Sequence, residues 1–358
     1  MKTRINLAVR MLLVFCLIAS MVAGVYAAPK KIELRAMVWA GSNQEILPTE
    51  VMKKYMKDHP NVSIEITEGQ NTVLYPQMLA ALKTTPDEPL FHMCYCNADI
   101  TAKGKADNLF LPLNSKNIPN MAKVLPAYQT PQGGLGVCWA VSPITILYNT
   151  EKVKNPPKSW TELWNNPQYA GHVVLWDNMF YSYLTVAARL SGGDEQNIDP
   201  GFKTWAEHTG QIHSFVTSVD QMKNLFISGD AWIAPFFVAH GLNWAKEGVP
   251  VAPARLKEGI VSLPYYLQVV NGSSEAEKAE CEKIINQLIS PKNVARFADL
   301  AKVAPVVSGV KLPDSLKNQW FYSKEAVKGA INFNWEAMAK TGSVWRERWA
   351  KEVKSKIK

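Results

Sequence analysis

The sequence predicts an α/β fold divided into two lobes, and three observations carry that expectation. Between residues 31 and 96, apolar runs and helical periods alternate as strand, helix, strand, helix, strand, the order that builds a largely parallel sheet. The same alternation resumes from His172 to Val270. Between the two lies Gly133-Gly-Leu-Gly-Val-Cys-Trp-Ala-Val-Ser-Pro-Ile-Thr-Ile-Leu-Tyr-Asn149, a glycine-rich entry into an apolar, β-branched and aromatic run. It reads as one long strand interrupted near Ser142-Pro143, because proline leaves a ladder hydrogen bond unmade. A strand broken midway can pass from one lobe into the other.

At the start of the chain, Lys2 to Arg10 is basic and Met11 to Val22 almost wholly apolar, and Val25-Tyr-Ala27 offers the small residues a signal peptidase reads. The apolar run falls short of the ~20 residues a bilayer asks. Residues 1–27 are therefore expected to be a cleaved secretory signal peptide and not a retained anchor. Cys16 lies inside the run with no small-residue box before it, so lipid attachment is not expected. Cleavage lowers the formal charge of +8 by the three charges of Lys2, Arg4 and Arg10. The remaining bases are interspersed with acids except from Lys351 to Lys358, which reads as a solvated helix end and not a nucleic-acid patch. The length left suggests two domains, and a hydrophobic content of 47% supplies material for two cores.

Taken in order, Lys31 to Trp39 is an entering strand, and Glu45 to Lys57 a helix with Pro48 tolerated in its first turn. Asn61 to Thr67 alternates as a second strand, and Thr72 to Lys83 is a helix with Leu79 and Leu82 on its inner face. Leu90 to Cys96 is a continuously apolar third strand, as buried parallel strands are. In Pro156-Pro-Lys-Ser-Trp-Thr-Glu-Leu-Trp164, Ser159 can cap a helix whose first turn carries Glu162. His172 to Trp176 is a strand. Phe180 to Leu190, Phe202 to Thr209 and Val219 to Ile227 are helices. Ala231 to Ala234 is a short strand, and Val238 to Lys246 a helix ended by Gly248. Ile260 to Val270 returns as a strand, Glu275 to Ile289 and Lys292 to Ala301 are helices, and a helical tail covers Glu325 to Lys354.

Several segments resemble the periplasmic solute-binding proteins of ABC importers. They are the long strand followed by Ser159-Trp-Thr-Glu162, Gly229-Asp-Ala-Trp-Ile-Ala before a helix ending at Gly248, and Leu288-Ile-Ser-Pro291 between two helices. Asn332-Phe-Asn-Trp335 with Trp345-Arg-Glu-Arg-Trp349 resembles the tail of the spermidine/putrescine-binding branch. The resemblance implies a two-lobed periplasmic-binding-protein fold, type II-like, with a hinge and a ligand cleft between lobes. On it, residues 28–139 and 262–310 form lobe 1, 140–261 lobe 2, and 311–358 a helical tail. It also implies a periplasmic monomer that captures a small polar solute, works with an inner-membrane permease, needs no cofactor and performs no catalysis.

Ligands of open α/β sheets bind beyond the carboxyl ends of the strands, which selects the candidate residues. Trp39, Ser42 and Asn43 follow the first strand, and Asn97 the third. Trp139 and Ser142 lie on the crossover, and Trp176, Asp177, Asn178 and Tyr181 follow the first strand of lobe 2. Phe236 ends a later strand, and Tyr265, Tyr266 and Gln268 sit on the return strand. The two tyrosines point to opposite faces, so at most one should face the cleft. An aromatic box with one carboxylate suits an organic amine, because ring faces attract ammonium groups by about 0.5–2 kcal/mol each. Asp177 either holds that ammonium or caps the helix after it. The polyamine binders carry an acid near Gln268, and Tyr265 to Val270 contains none. A monocation, a zwitterion or a neutral polar solute therefore competes with a long polyamine, and an anion bound at helix starts stays open as well.

Other chemistries leave weaker traces. A related branch binds ferric iron through paired tyrosines where this chain reads Phe236-Phe237, which has no phenolate. Cys94-Tyr-Cys96 puts two thiols on one strand face. They could form a strained disulfide, pair with Cys138, bind metal, or remain buried thiols. No second Cys/His pair stands at ligand spacing, so no metal is expected. A secreted cysteine-dependent metal or redox protein is the rival class. Gly-x-Ser-x-Gly, His-Glu-x-x-His and phosphate-loop motifs are absent.

Overall fold

Residues 31–129 and 133–357 are described by a computed structural model; the expected signal peptide, Cys16 included, lies outside the described residues. The strands are β1 (Ile32–Trp39), β2 (Val62–Gly69), β3 (Met93–Asn97), β4 (Phe110–Leu111), β5 (Val137–Asn149), β6 (Val173–Trp176), β7 (Ile212–Val216), β8 (Ile233–Phe237), β9 (Val251–Pro253), β10 (Val261–Val270) and β11 (Ala304–Pro305). The helices through the first half are α1 (Ile46–Asp58), α2 (Asn71–Thr84), α3 (Ala98–Ala106), α4 (Glu162–Asn165), α5 (Phe180–Leu190) and α6 (Asp199–Glu207). Those that follow are α7 (Val219–Ser228), α8 (Val238–Lys246), α9 (Glu275–Leu288), α10 (Pro291–Ala301), α11 (Lys324–Lys328) and α12 (Trp335–Glu352).

One mixed sheet runs β2-β1-β3-β10-β5-β8-β6-β7, with β4 on β10 and β9 and β11 on β5. On one side β1 is parallel to β2 and β3; on the other β6 is parallel to β7 and β8. Between these two sets, β10 and β5 run antiparallel to each other and to their outer neighbours. Helices cover both faces of the strands, which is why β3, β5 and β10 read as nearly unbroken apolar runs. In α2 the fully buried apolar side chain is Met78, while Leu79 and Leu82 are only partly buried.

The expected interruption of the long strand is absent: β5 is continuous for 13 residues through Pro143. The reason is where its partners change. On one edge β11 pairs with Ala140 and Val141, and β8 begins at Ile144. Ser262, opposite Pro143, donates its N–H to the Ile331 carbonyl at 3.1 Å and not to β5. Pro143 thus turns its missing N–H toward a gap between β11 and β8, where no ladder bond is lost. Next to it the register shifts, with Tyr265 opposite Ala140 and Tyr266 opposite Cys138, so Trp139 is the extra residue of a bulge.

This pairing aims both parallel sets at one place. Asn97, the last residue of β3, stands opposite Tyr265. Phe237, the last residue of β8, stands opposite Ile144, which itself faces Val261. The carboxyl ends of both sets therefore converge on Ala140–Ile144 and Val261–Tyr265.

The expected single helical tail is two helices. The segment between them crosses beside β10, where the Ile331 N–H donates to the Ile260 carbonyl at 2.8 Å. From there α12 spans both halves of the molecule. Its first turn binds α3 through Lys105–Glu336 at 2.6 Å. Its far end carries Trp349, ringed by Phe180, Tyr183, Phe202, Trp205 and Phe215 at centroid distances of 5.5–6.5 Å. Arg348–Asp199 at 2.8 Å holds the same end.

Cys94, Cys96, Cys138 and Cys281 are free, buried thiols. The sulfurs of Cys94 and Cys96 lie 3.6 Å apart on one face of β3, and Cys138 pairs with neither. Alternate strand residues stand about 6.6 Å apart at Cα with parallel side chains. Joining them would require β3 to buckle. Burial pushes the thiols of Cys94, Cys138 and Cys281 up, away from the reactive thiolate. Protein lacking residues 1–27 should show no rapid reaction with a thiol reagent when native and four reactive thiols when denatured. Recovery of only two in denaturant would mean that a disulfide forms despite the strand geometry.

Candidate functional site

At the end of β1, Trp39 is half-buried, with its ring 6.4 Å from those of Tyr95 and Tyr265. The chain then turns through Gly41, Ser42 and Asn43 at φ of 99°, 55° and 60°. Two consecutive non-glycine residues in the left-handed region carry strain. It is held by the Gly41 N–H donating to Glu45 at 3.0 Å and by Asn43 Nδ2 donating to the Leu300 carbonyl at 3.4 Å. Ser42 and Asn43 themselves are exposed.

At the end of β3, the Asn97 side-chain Oδ1 caps α3 by accepting from the Ile100 N–H at 3.1 Å. Two residues on, Asp99 accepts from Lys103 at 2.9 Å along the same helix, and both side chains are partly exposed. On the crossing strands, burial raises the Tyr265 phenol while its hydrogen bonds with Ser142 and Gln44 oppose the shift. Tyr95 donates to the Gln44 carbonyl oxygen at 2.5 Å.

From the other half come the residues after β6. The Trp176 ring is 4.8 Å from Phe236, and Asn178 is exposed. Both oxygens of Asp177 accept from Lys354 Nζ at 2.9 Å. Tyr181, the second residue of α5, is half-buried, with its ring 5.9 Å from Trp335. Burial raises its phenol pKa, and the nearby Asp99 carboxylate and Tyr265 ring add to the effect. Tyr181 thus stands within electrostatic reach of Asp99 and Tyr265.

The structure brings Trp39, Asn97, Ser142 and Tyr265 together; Ser42 and Asn43 follow Trp39 in the turn after β1, and Trp176, Asn178 and Tyr181 follow β6. Four expected lining residues are packing residues instead. Trp139 is fully buried by its bulge and stacks on Phe297 of α10 at 3.9 Å. Tyr266 is buried on the opposite strand face from Tyr265, near Cys138 and Tyr128. Gln268 is buried, donates to Thr101 at 2.8 Å and meets the Cys94 sulfur at 3.7 Å. Phe236 is buried beneath Trp176, His240 and Trp244. Asp177 caps nothing with its side chain; its role is the ion pair to the tail.

Sequence reasoning missed Asp99, Gln44, Lys354 and Trp335. It also missed Asn71 in the first turn of α2, whose amide is buried with neither polar atom bonded among the described residues. The strand-end rule would have reached Asp99 had α3 been recognised as a helix. Nothing in the sequence pairs Lys354 with Asp177.

A family model described as bacterial extracellular solute-binding protein matches residues 91–322. Among solved structures, an ABC transporter protein from Clostridium perfringens superposes with a TM-score of 0.78 at 19% identity, covering 89% of this chain and 99% of that one. An ABC transporter substrate-binding protein from Bradyrhizobium japonicum gives 0.73 at 16%, covering 90% and 99%. A spermidine/putrescine ABC transporter substrate-binding protein from Streptococcus pneumoniae gives 0.69 at 15%, covering 90% and 100%. Identities this low establish the fold. No curated protein matches by sequence.

His240, on α8 behind this wall, offers a test of the packing. Burial among Phe236, Phe237 and Trp244 pushes its imidazole from 6.5 down to about 4. Between those values the unfolded chain binds the extra proton and the folded protein does not. Stability from this group is therefore complete above pH ~6.5 and declines as pH falls toward ~4. Melting temperature should drop between neutral pH and pH 5 (about 1.5 units below the normal imidazole value), and His240→Phe should flatten part of that drop. An identical drop in both proteins would place the acid sensitivity elsewhere.

Proposed function

Because the chain belongs to the family of bacterial extracellular solute-binding proteins, we propose that it is the solute-capturing subunit of an ABC importer, delivering a small molecule to a membrane permease. The family is one of binding proteins acting outside the cytoplasmic membrane, and the chain is not an enzyme. Export through a cleaved signal peptide at 1–27 fits that location. In this reading residues 28–139 with 262–310 form one lobe and 140–261 the other, β5 and β10 are the hinge, and 311–358 is a tail laid over both.

The proposed ligand is a small organic amine carrying one ammonium. The observation that carries this is the meeting of Trp39 and Tyr265 at the converging strand ends, where Asn97 stands opposite Tyr265 and the Asp99 carboxylate, two residues on, is near enough to Tyr181 to help raise its phenol. Ring faces and a carboxylate together suit a desolvated cation. Both acids are paired, but Asp99 is the acid of choice because its pair with Lys103 is the more exposed and that of Asp177 with Lys354 the more buried. A polyamine with several ammonium groups would leave some of them unpaired.

Titration with the best amine from a thermal-shift screen tests this. Asp99→Asn should cost about 1.5–3 kcal/mol, roughly tenfold to 150-fold in affinity. Asp177→Asn should leave affinity within a few-fold and lower stability instead. An unchanged affinity in Asp99→Asn, or an anion as best ligand, removes the amine reading and leaves the importer reading in place.

Capture should also close the lobes, since a ligand touching both sides favours the conformation in which they meet. Small-angle scattering at saturating ligand should give a smaller radius of gyration than the free protein. Superimposable profiles would count against a hinge at β5 and β10.

A further inference from the structure

The segment joining α11 to α12 runs beside the start of β10, with Ile331 hydrogen-bonded to Ile260 and Ser262. It therefore lies beyond the carboxyl end of β3, at one end of the converging strands. It delivers Trp335 edge-on to Tyr181, with the rings 5.9 Å apart and tilted 73°. The polar groups around it are already paired. The Asn334 N–H donates to Glu195 at 2.8 Å, its side chain caps Ala337 at 3.1 Å, and Glu336 binds Lys105 at 2.6 Å.

The Trp335 indole and the Asn332 side-chain oxygen are the exceptions. Trp335 is 5% exposed, yet its Nε1 has no hydrogen-bond partner among the described residues. Trp160, Trp205 and Trp232 each donate to a backbone carbonyl. Trp139, Trp320 and Trp349 also lack partners, but of these indoles only Trp335 packs on Tyr181. An indole N–H can only donate, and a buried donor left unpaired is costly. Its natural partner is an acceptor brought in from outside.

We infer that Trp335 is a specificity-determining residue whose indole N–H donates to an oxygen of the bound amine, so that the solute is an oxygen-bearing amine such as an ω-amino acid and not a plain alkyl diamine or polyamine. This rests on the organic-amine reading of the same cleft. Tyr181 packs on this donor and stands within electrostatic reach of an acceptor, Asp99, so one molecule can offer its ammonium to the acceptor and its oxygen to the donor.

Calorimetric titration with two series of matched chain length, α,ω-diamines and ω-amino acids from propane to hexane backbones, tests the assignment. The wild-type protein should prefer an amino acid over the diamine of equal length. Trp335→Phe keeps the ring and removes the donor. It should weaken the best amino acid about tenfold to a hundredfold and leave the diamines unchanged. The wild-type preference stands as a test even if that variant folds poorly. Diamines that bind as well as the amino acids, or a Trp335→Phe effect equal in both series, would overturn the assignment. If Asp99→Asn then still weakens both series, the amine reading survives without it. If no member of either series binds, both fall together.

Discussion

Backbone polar groups buried in the middle of a sheet must find partners, and β5 and β10 meet that demand for both halves of this molecule at once. Their ladder runs from Val261 opposite Ile144 to Leu267 opposite Val137. The remaining edge of each strand then goes to a different half: β3 on β10, and β8 on β5. Every residue of β10 is buried, so a one-residue slip would change which side chains enter which layer and is strongly disfavoured. The convergence of strand ends, and hence the cleft, follows from this pairing before any ligand-binding residue is specified. The gap beside Pro143, where β11 has ended and β8 has just begun, is the least bonded point along β5.

The tail adds a second link of different physical character. One end of α12 is fixed by Trp349 among five aromatic rings, contacts worth about 0.5–1.5 kcal/mol each beyond simple burial. The other end lies on α3 and carries Lys105–Glu336, a pair more than a third exposed on both sides and worth less than about 1 kcal/mol. A motion that separates the halves must release one of these ends.

Much of the fold was legible because burial writes itself into periodicity. The strands at Ile32–Trp39 and Val62–Gly69 and the helices α5 and α8 stand where the apolar pattern puts them. The misses have physical reasons. The helix α3 contains Gly104, a poor helix former, yet a Cβ there would lie 2.2 Å from the Phe110 ring. Tertiary packing thus demands the residue that hides the helix from local propensity. The edge strand β7 carries His213 and Ser214 and lacks a clean alternation. At the site, the strand-end rule found Trp39, Asn97 and Tyr181. It could not anticipate the bulge at Trp139, which turns that indole into the packing layer under α10. Nor can a run such as Tyr265-Tyr266 reveal which ring turns toward Trp39 and which toward Tyr128.

Which acid is free to meet a cation is the last question the sequence left open, and it turns on what each acid would have to give up. Asp177 accepts from Lys354 with both oxygens, and that ammonium also lies 5.1 Å from the Phe215 ring centre. The Asp177 side chain is only 18% exposed. A ligand taking it would strand a lysine in partly buried surroundings, the arrangement that makes breaking such pairs expensive. Asp99 has a partner four residues along its own helix, with side chains 32% and 41% exposed. Helix pairs of that kind contribute about 0.3–0.5 kcal/mol, and the released Lys103 can turn into water. The acid that looked best placed in the sequence is thus held by the fold, and the one hidden in an unrecognised helix is the less firmly held of the two.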